Sequence, residues 1–160
     1  MTIKVGDRMP SVTLMRMGES GPEAVKSDDL FKDRKVAVCG VPGAFTPTCS
    51  AKHLPGFVEK ADALKAKGVD AVVCMAVNDV FVMDAWGKSQ NCGDKVQMIA
   101  DGDAALTKAA GLELDLNGKG LGVRNQRFSM LVDGGVVKVL NIDPPGKFEK
   151  TSAESLLEQL

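Results

Sequence analysis

Residues 35–77, KVAVCGVPGAFTPTCSAKHLPGFVEKADALKAKGVDAVVCMAV, decide the fold. The stretch opens on Lys35–Val41, a short apolar run rich in β-branched residues that reads as a buried strand and stops at Pro42. After a turn through Gly43 to Thr48, the residues Leu54, Phe57, Val58, Ala61 and Leu64 recur at helical spacing until Gly68 supplies a stop. Pro55 is expected to bend that helix near its start. Val69–Val77 is a second apolar run of the same kind, so the segment reads as strand, helix, strand: one βαβ unit.

Outward from this unit the alternation continues. Asn78 or Asp79 can cap a helix running to Ser89, Val96–Ala100 reads as a third strand, and a short helix is expected from Asp103 to Ala110, closed by Gly111. Gly118 to Arg124 reads as a Gly-rich connection; it lacks both the spacing of a phosphate-binding loop and a strand before it. Phe128–Val132 and Val136–Ile142 flank Asp133-Gly134-Gly135, an antiparallel hairpin signal. Thr151-x-x-Glu154 reads as a capping box ahead of Leu156, Leu157 and Leu160 on a terminal helix. Strands alternating with helices and closed by a hairpin predict an α/β protein with a mixed central sheet and helices on both faces, a thioredoxin-like arrangement. No repeat or linker divides the chain, so residues 1–160 are expected to form a single domain.

Composition removes several function classes. Twenty Lys and Arg against twenty-one Asp and Glu leave no cationic surplus for a phosphate backbone, so nucleic acid is not an expected partner. Every apolar run meets a glycine or a charge well before the ~18 residues of a membrane span. Met1 to Pro10 carries Lys4, Asp7 and Arg8 without an apolar stretch, which does not read as a secretory signal and favours a reducing, cytoplasmic setting. Cys39, Cys49, Cys74 and Cys92 form no C-x-x-C pair, and with His53 as the only histidine a metal site is not expected.

Chemistry concentrates at Pro42-Gly43-Ala44-Phe45-Thr46-Pro47-Thr48-Cys49, which sets a thiol at the turn between the first strand of the unit and its helix. Free N–H groups and the positive end of a helix dipole favour an anion there, which makes a thiolate nucleophile available. In a thioredoxin-type exchange site a second cysteine would stand three residues away. Here Thr46 and Lys52 hold those places, and the hydroxyl of Thr46 can bond to an oxygen substrate but cannot form a disulfide.

At this point the sequence resembles the peroxiredoxins, whose pattern P-x-x-x-T-x-x-C is met by Pro42, Thr46 and Cys49. GVPGAFTPTCSAKHLPGF, VNDVFVMDAW and RFSMLVDGG are similar to the type II, or peroxiredoxin 5-like, subgroup across essentially the whole chain. The resemblance implies a thiol peroxidase without a cofactor that reduces hydrogen peroxide and organic hydroperoxides. Cys49 would be the peroxidatic nucleophile, Thr46 would hold the peroxide, Pro42 would shield the sulfur, and Arg127 would be the cation beside it, with Arg124 in support. It also implies a homodimer. The subgroup's resolving cysteine near the C-terminus is absent from Gly146 to Leu160, whereas Cys74 matches the place before V-N-D used in plant-like members. Cys74 therefore stands open between resolver and core residue. Without a resolver, glutathione with glutaredoxin, or thioredoxin, would recycle Cys49.

The remaining residues carry plainer readings. Cys39 reads as core filler, Cys92 as an exposed loop thiol, and His53 as a structural residue near the bend, with polarisation of the sulfur as its competing role. Phe45, Leu112 and Leu121 are candidates to line a substrate pocket. Two other functions compete: a peroxide-sensing relay module that passes a disulfide from oxidised Cys49 to a partner, and a thiol-disulfide oxidoreductase, which the missing C-x-x-C disfavours.

Overall fold

The computed structural model describes all 160 residues. Its centre is strand β3, Lys35–Gly40, in which Val36 and Val38 face one way and Ala37 and Cys39 the other, all buried. A strand apolar on both faces belongs in the middle of a covered sheet. The preceding strands β1 (Thr13–Gly18) and β2 (Gly21–Lys26) form an N-terminal hairpin, and β4 (Ala71–Ala76), β5 (Gln97–Ala100), β6 (Glu113–Leu116), β7 (Gly122–Asn125), β8 (Arg127–Asp133) and β9 (Val136–Asp143) follow. Seven strands form one sheet in the order β2-β1-β5-β4-β3-β8-β9, and β6 pairs with β7 alone. β3 runs parallel to β4 and antiparallel to β8, which makes the sheet mixed, as expected.

Five α-helices cover it: α1 (Ser27–Phe31), α2 (Leu54–Ala66), α3 (Val80–Ser89), α4 (Ala105–Ala109) and α5 (Ala153–Glu158). Leu54, Phe57, Ala61 and Leu64 of α2, Val80, Met83 and Trp86 of α3, and Leu156 of α5 bury against Ala37, Cys39 and Val72 on one face. Leu30 and Phe31 of α1 and Leu106 of α4 bury against Val36, Val38 and Val73 on the other. The helix ends follow local chemistry. Asp79 accepts from Val82 N at 2.8 Å to start α3, and Gly68 takes φ +96° so that Val69 N reaches back to Leu64 O at 3.2 Å and closes α2.

Several expectations need correction. The β1–β2 hairpin and α1 were not foreseen, because short half-exposed strands carry little period-two signal. The Gly118–Arg124 connection contains the start of β7, which pairs with β6 from Glu113↔Asn125 to Leu116↔Gly122. Ser152, not Thr151, caps α5 by accepting from Ser155 N at 3.0 Å, while Thr151 turns its hydroxyl inward to Asp143. Cys92 is buried, not an exposed loop thiol. Asn91 takes φ +56°, Cys92 N bonds to Gly87 O at 3.0 Å and Asn91 N to Lys88 O at 3.2 Å, a Schellman closure of α3 that tucks the thiol into the core. Leu112 is not in a pocket either: it sits in the second core with Leu106 and Ile3, carried inward by the turn at Gly111.

The pairing of β3 with β8 sets Gly40 opposite Phe128, and any Cβ at Gly40 would overlap the Phe128 ring. Gly40→Ala is therefore expected to cost at least about 2 kcal/mol in urea unfolding, since the ring is enclosed and cannot step aside. A loss below about 0.5 kcal/mol would contradict this packing.

Candidate active site

The loop from Pro42 to Thr48 leaves the C-terminal end of β3 and delivers Cys49 to the first position of a π-helical turn, Cys49–His53, which runs directly into α2. Such turns hold i→i+5 bonds and recur at functional sites. Here Pro55 stands in the first turn of α2, so the expected bend takes the form of a change in helix type just before it. Phe45 holds φ +64° within the loop, a left-handed conformation uncommon outside glycine.

Neighbouring elements hold the loop in place. Asn78 Oδ1 accepts from Ala44 N at 2.9 Å, and Arg124 donates through Nη1 to Pro42 O at 3.3 Å and through Nε to Leu121 O at 2.9 Å. Gly43 has no room for a side chain, because a Cβ there would lie 2.8 Å from Arg124 Nη1 and 3.0 Å from Thr46 Cγ2. Trp86 Nε1 donates to Ser50 Oγ at 3.0 Å, which ties the π-helical turn to α3.

Cys49 has no exposed surface. Its sulfur receives Arg127 Nη2 at 3.2 Å, from the first residue of β8. Thr46 Oγ1 donates to Gly43 O at 2.7 Å; with its proton committed, the hydroxyl oxygen is left to accept. Pro42, Thr46, Cys49 and Arg127 are thus gathered at one end of β3. Arg124 braces the loop backbone, and no contact of its own with the sulfur is seen. Beside Pro42 and Arg127 opens a cavity of about 210 Å³, lined also by Leu114, Leu116 and Asp143. A larger one of about 380 Å³ lies apart from these residues, against α3 and β5. Phe45 and Leu121 are exposed, with the Phe45 ring 6.4 Å from that of Trp86.

Cys74 lies in β4 directly beside Cys39 of β3, and both are fully buried. Burial, then the neighbouring Cys39 thiol, push the Cys74 thiol well above its ordinary range, and Cys49 adds to the shift. Burial also raises the Cys92 thiol, to about 11, with Cys74 contributing.

His53, for which the sequence offers a structural role or polarisation of the sulfur, stands between Arg127 and Thr151. Its Nδ1 faces Arg127 Nη1 at 3.0 Å and its Nε2 faces Thr151 O at 2.8 Å. Burial first, and the Arg127 charge second, lower its pKa to about 3 despite the opposing pull of Thr151 and Asp143. Burial alone would raise the Asp143 carboxyl, but hydrogen bonds from the Thr151 hydroxyl and the Glu149, Lys150 and Thr151 backbone outweigh it and hold the group below its usual value. Asp143 and Phe148 carry no motif, and Asn78, which the V-N-D segment offers as a helix cap, instead serves the Cys49 loop; only the tertiary structure brings the three to this end of the sheet.

A buried sulfur paired with a guanidinium at the end of a thioredoxin-like sheet is an arrangement suited to a thiol-dependent peroxidase. The redoxin family profile matches residues 4–157. Peroxiredoxin-2E-2 of Oryza sativa subsp. japonica, named as chloroplastic, is 51% identical over 164 residues, covering 99% of this chain and 73% of its own. Peroxiredoxin-2B of Arabidopsis thaliana is 48% identical over 159 residues, covering 99% and 98%. The structure of reduced Prx3 from Vibrio vulnificus in complex with H2O2 overlays with a TM-score of 0.95 at 47% identity, covering 99% of each chain. The chain belongs to the redoxin family and, within it, to the peroxiredoxins. No helix is long and apolar enough to cross a membrane.

The lowered histidine pKa makes stability depend on pH. An unfolded imidazole takes a proton near pH ~6.5, whereas the folded one stays neutral down to about 3, so acid favours the unfolded chain across that interval. His53 is the only histidine. Stability is therefore expected to fall by on the order of 2 kcal/mol between about pH 7 and pH 5 in urea titrations. In His53→Gln that component should vanish; an unchanged slope would show that the imidazole is not the cause.

Proposed function

We propose that Cys49 is the peroxidatic nucleophile of this peroxidase and that Arg127, Thr46 and Pro42 serve it directly. The observation that carries the reading is the 3.2 Å approach of Arg127 Nη2 to a sulfur otherwise closed to solvent. The thiolate attacks the nearer oxygen of a hydroperoxide; an S–O bond forms as the O–O bond breaks, and the departing oxygen leaves as water or alcohol after taking a proton. Thr46 Oγ1, its own proton given to Gly43 O, accepts the hydroperoxide O–H. Arg127 and the Cys49 backbone N–H, which lacks a partner one turn earlier, stabilise charge moving onto the leaving oxygen. Pro42 walls the sulfur, and Arg124 holds the Pro42 carbonyl and with it the loop. The cavity beside Pro42 and Arg127 gives hydrogen peroxide and small organic hydroperoxides a place to enter; its apolar lining is Leu114 and Leu116, while Phe45 and Leu121 are exposed and outside that lining.

The product sulfenic acid is recycled by an external thiol, glutathione with glutaredoxin or thioredoxin. Supporting this, Cys74 is buried against Cys39 and held protonated, which makes it a poor nucleophile in this conformation. A second reading keeps Cys74 as resolver. Its electrostatic link to Cys49 within the same apolar cluster favours that, but disulfide formation needs Cα atoms within ~7 Å and an unwound π-helical turn. The chain works as a single domain over residues 1–160 in a reducing, cytoplasm-like compartment, consistent with four free cysteines. It pairs as a homodimer, for which the exposed aromatic rings of Phe45 and Phe81 offer apolar contact; sedimentation showing only monomer at all concentrations would overturn that part.

Cys49→Ser is expected to abolish peroxide reduction, and Arg127→Gln to slow it by about 10²–10³-fold, the usual loss for one donor to a developing oxyanion. Cys74→Ser should leave the first oxidation of Cys49 intact. Intact mass and peptide mapping after one equivalent of hydrogen peroxide, without added thiol, decide the recycling route. A gain of one oxygen on Cys49 supports the external thiol, and loss of two hydrogens with a Cys49–Cys74 peptide supports the internal resolver. An unmodified Cys49 would overturn the whole assignment.

A further inference from the structure

Arg127 is held without a carboxylate. The ion pairs in the chain are Arg16–Glu23 and Lys88–Asp84, both remote from the site. The Arg127 guanidinium instead spends Nη2 on Cys49 Sγ at 3.2 Å and Nη1 on His53 Nδ1 at 3.0 Å, with its Cζ 5.9 Å from the centre of the Phe148 ring. These contacts fix the tautomer of His53. An arginine N–H can only donate, so Nδ1 is the bare nitrogen; a carbonyl oxygen can only accept, so Nε2 carries the proton that bonds Thr151 O at 2.8 Å.

The imidazole is itself clamped. It has no exposed surface, and the rings of Phe57 and Phe148 stand 5.6 and 5.2 Å away. Thr151 is fixed in turn by its hydroxyl bond to Asp143 at 2.7 Å, a carboxylate that also accepts from Glu149 N and Lys150 N. The titratable and charged groups acting on His53 are therefore Arg127 from β8 and Asp143 from the end of β9; α2 presents Phe57, and the segment after β9 presents Phe148.

A half-buried arginine is commonly aligned by a carboxylate, which reads its planar fork well. At this site a carboxylate would set a second anion against the same guanidinium and compete with the thiolate for its charge. We propose that His53 is a positioning residue for the peroxidase reaction: as a neutral imidazole protonated on Nε2, it aims Arg127 at the Cys49 sulfur while leaving the full positive charge to the thiolate and the departing oxygen. The chain Asp143–Thr151–His53–Arg127 is then an uncharged link, at its histidine, between the C-terminal segment and the reacting sulfur. This inference rests on the assignment of Cys49 and Arg127 given above.

Three variants test it, each checked for folding by circular dichroism: His53→Gln, which keeps a neutral acceptor; His53→Glu, which keeps an acceptor but adds charge; and His53→Leu, which has neither. Two rates are read, the second-order oxidation of Cys49 by hydrogen peroxide and the alkylation of Cys49 by iodoacetamide at about pH 6, followed by peptide mapping. The expected result is that His53→Gln stays within about tenfold of the parent in both, while His53→Leu loses about 100-fold in oxidation through misplacement of the guanidinium. His53→Glu should lose at least about tenfold in alkylation as well, because the carboxylate takes up the arginine's charge. A merely structural histidine predicts losses that follow thermal stability and leave alkylation of the folded protein unchanged. The inference is overturned if His53→Leu oxidises Cys49 at the parental rate, or if His53→Gln falls as far as His53→Leu. Should His53→Glu fail to fold, the Gln and Leu variants alone decide by those two criteria. Cys49→Ser run alongside separates the two levels: if it still reduces peroxide, the nucleophile assignment fails, whereas an inactive Cys49→Ser beside a fully active His53→Leu removes only the role of His53.

Discussion

A sulfur without solvent around it can hold negative charge only where the protein brings a cation to it, and the approach of Arg127 to Cys49 is the contact around which this molecule is arranged. The two residues are 78 positions apart in sequence. They meet because β8 lies antiparallel to β3 in one fixed register, with Gly40 flat against Phe128, so that the residue before Phe128 stands where the chain leaves β3 for the Cys49 loop. A one-residue slip would send Arg127 to the other face of the sheet and Phe128 into the site. Register, the missing side chain at Gly40 and the meeting of guanidinium and sulfur are thus one constraint seen at three scales.

The loop and helix that present Cys49 are fixed from several directions, each by polar groups satisfied in pairs. Asn78 takes the Ala44 N–H, Arg124 takes the Pro42 carbonyl, and Asn125 Oδ1 accepts from Val77 N at 3.1 Å, so the ends of β3, β4 and β7 are stitched together around the turn. No buried side-chain nitrogen or oxygen is left without a partner. For a site that keeps an imidazole and a carboxylate out of water beside a half-buried guanidinium, complete satisfaction limits the number of alternative arrangements the same groups can adopt.

How much of this was legible in the sequence divides along physical lines. Lys35–Gly40, Ala71–Ala76 and α3 announce themselves through unbroken apolar runs and an Asp79 cap, signals that are local and strong. Pro42, Thr46 and Cys49 stand out as a spaced motif, whereas Arg127 is singled out only through the resemblance to a family with an arginine on a later strand. The hairpin of β1 and β2 does not stand out, because its residues are half-exposed and its pairing partner β5 is distant in sequence. The burial of Cys92 is hidden in the sequence because its polar neighbourhood, Ser89-Gln90-Asn91, reads as a surface loop, whereas the left-handed Asn91 turns the chain back into the core. Thr151 has the pattern of a helix cap, but its neighbour Ser152 fills that role, and the surplus hydroxyl is what allows Thr151 to serve Asp143 and so His53. A pattern of residue types can place a cap within one position, but only packing tells which of two adjacent hydroxyls points inward.

The bond between Trp86 and Ser50 has an optical meaning. The chain contains one tryptophan and no tyrosine, so its near-ultraviolet emission comes from a single indole, which is fully buried and bonded through its N–H to the residue immediately after Cys49. Unwinding the π-helical turn would strip that N–H of its partner and let water reach the ring. The protein therefore carries its own fluorophore bonded to the turn that presents Cys49, and any change in that turn would be reported by the colour and intensity of its emission with no label attached.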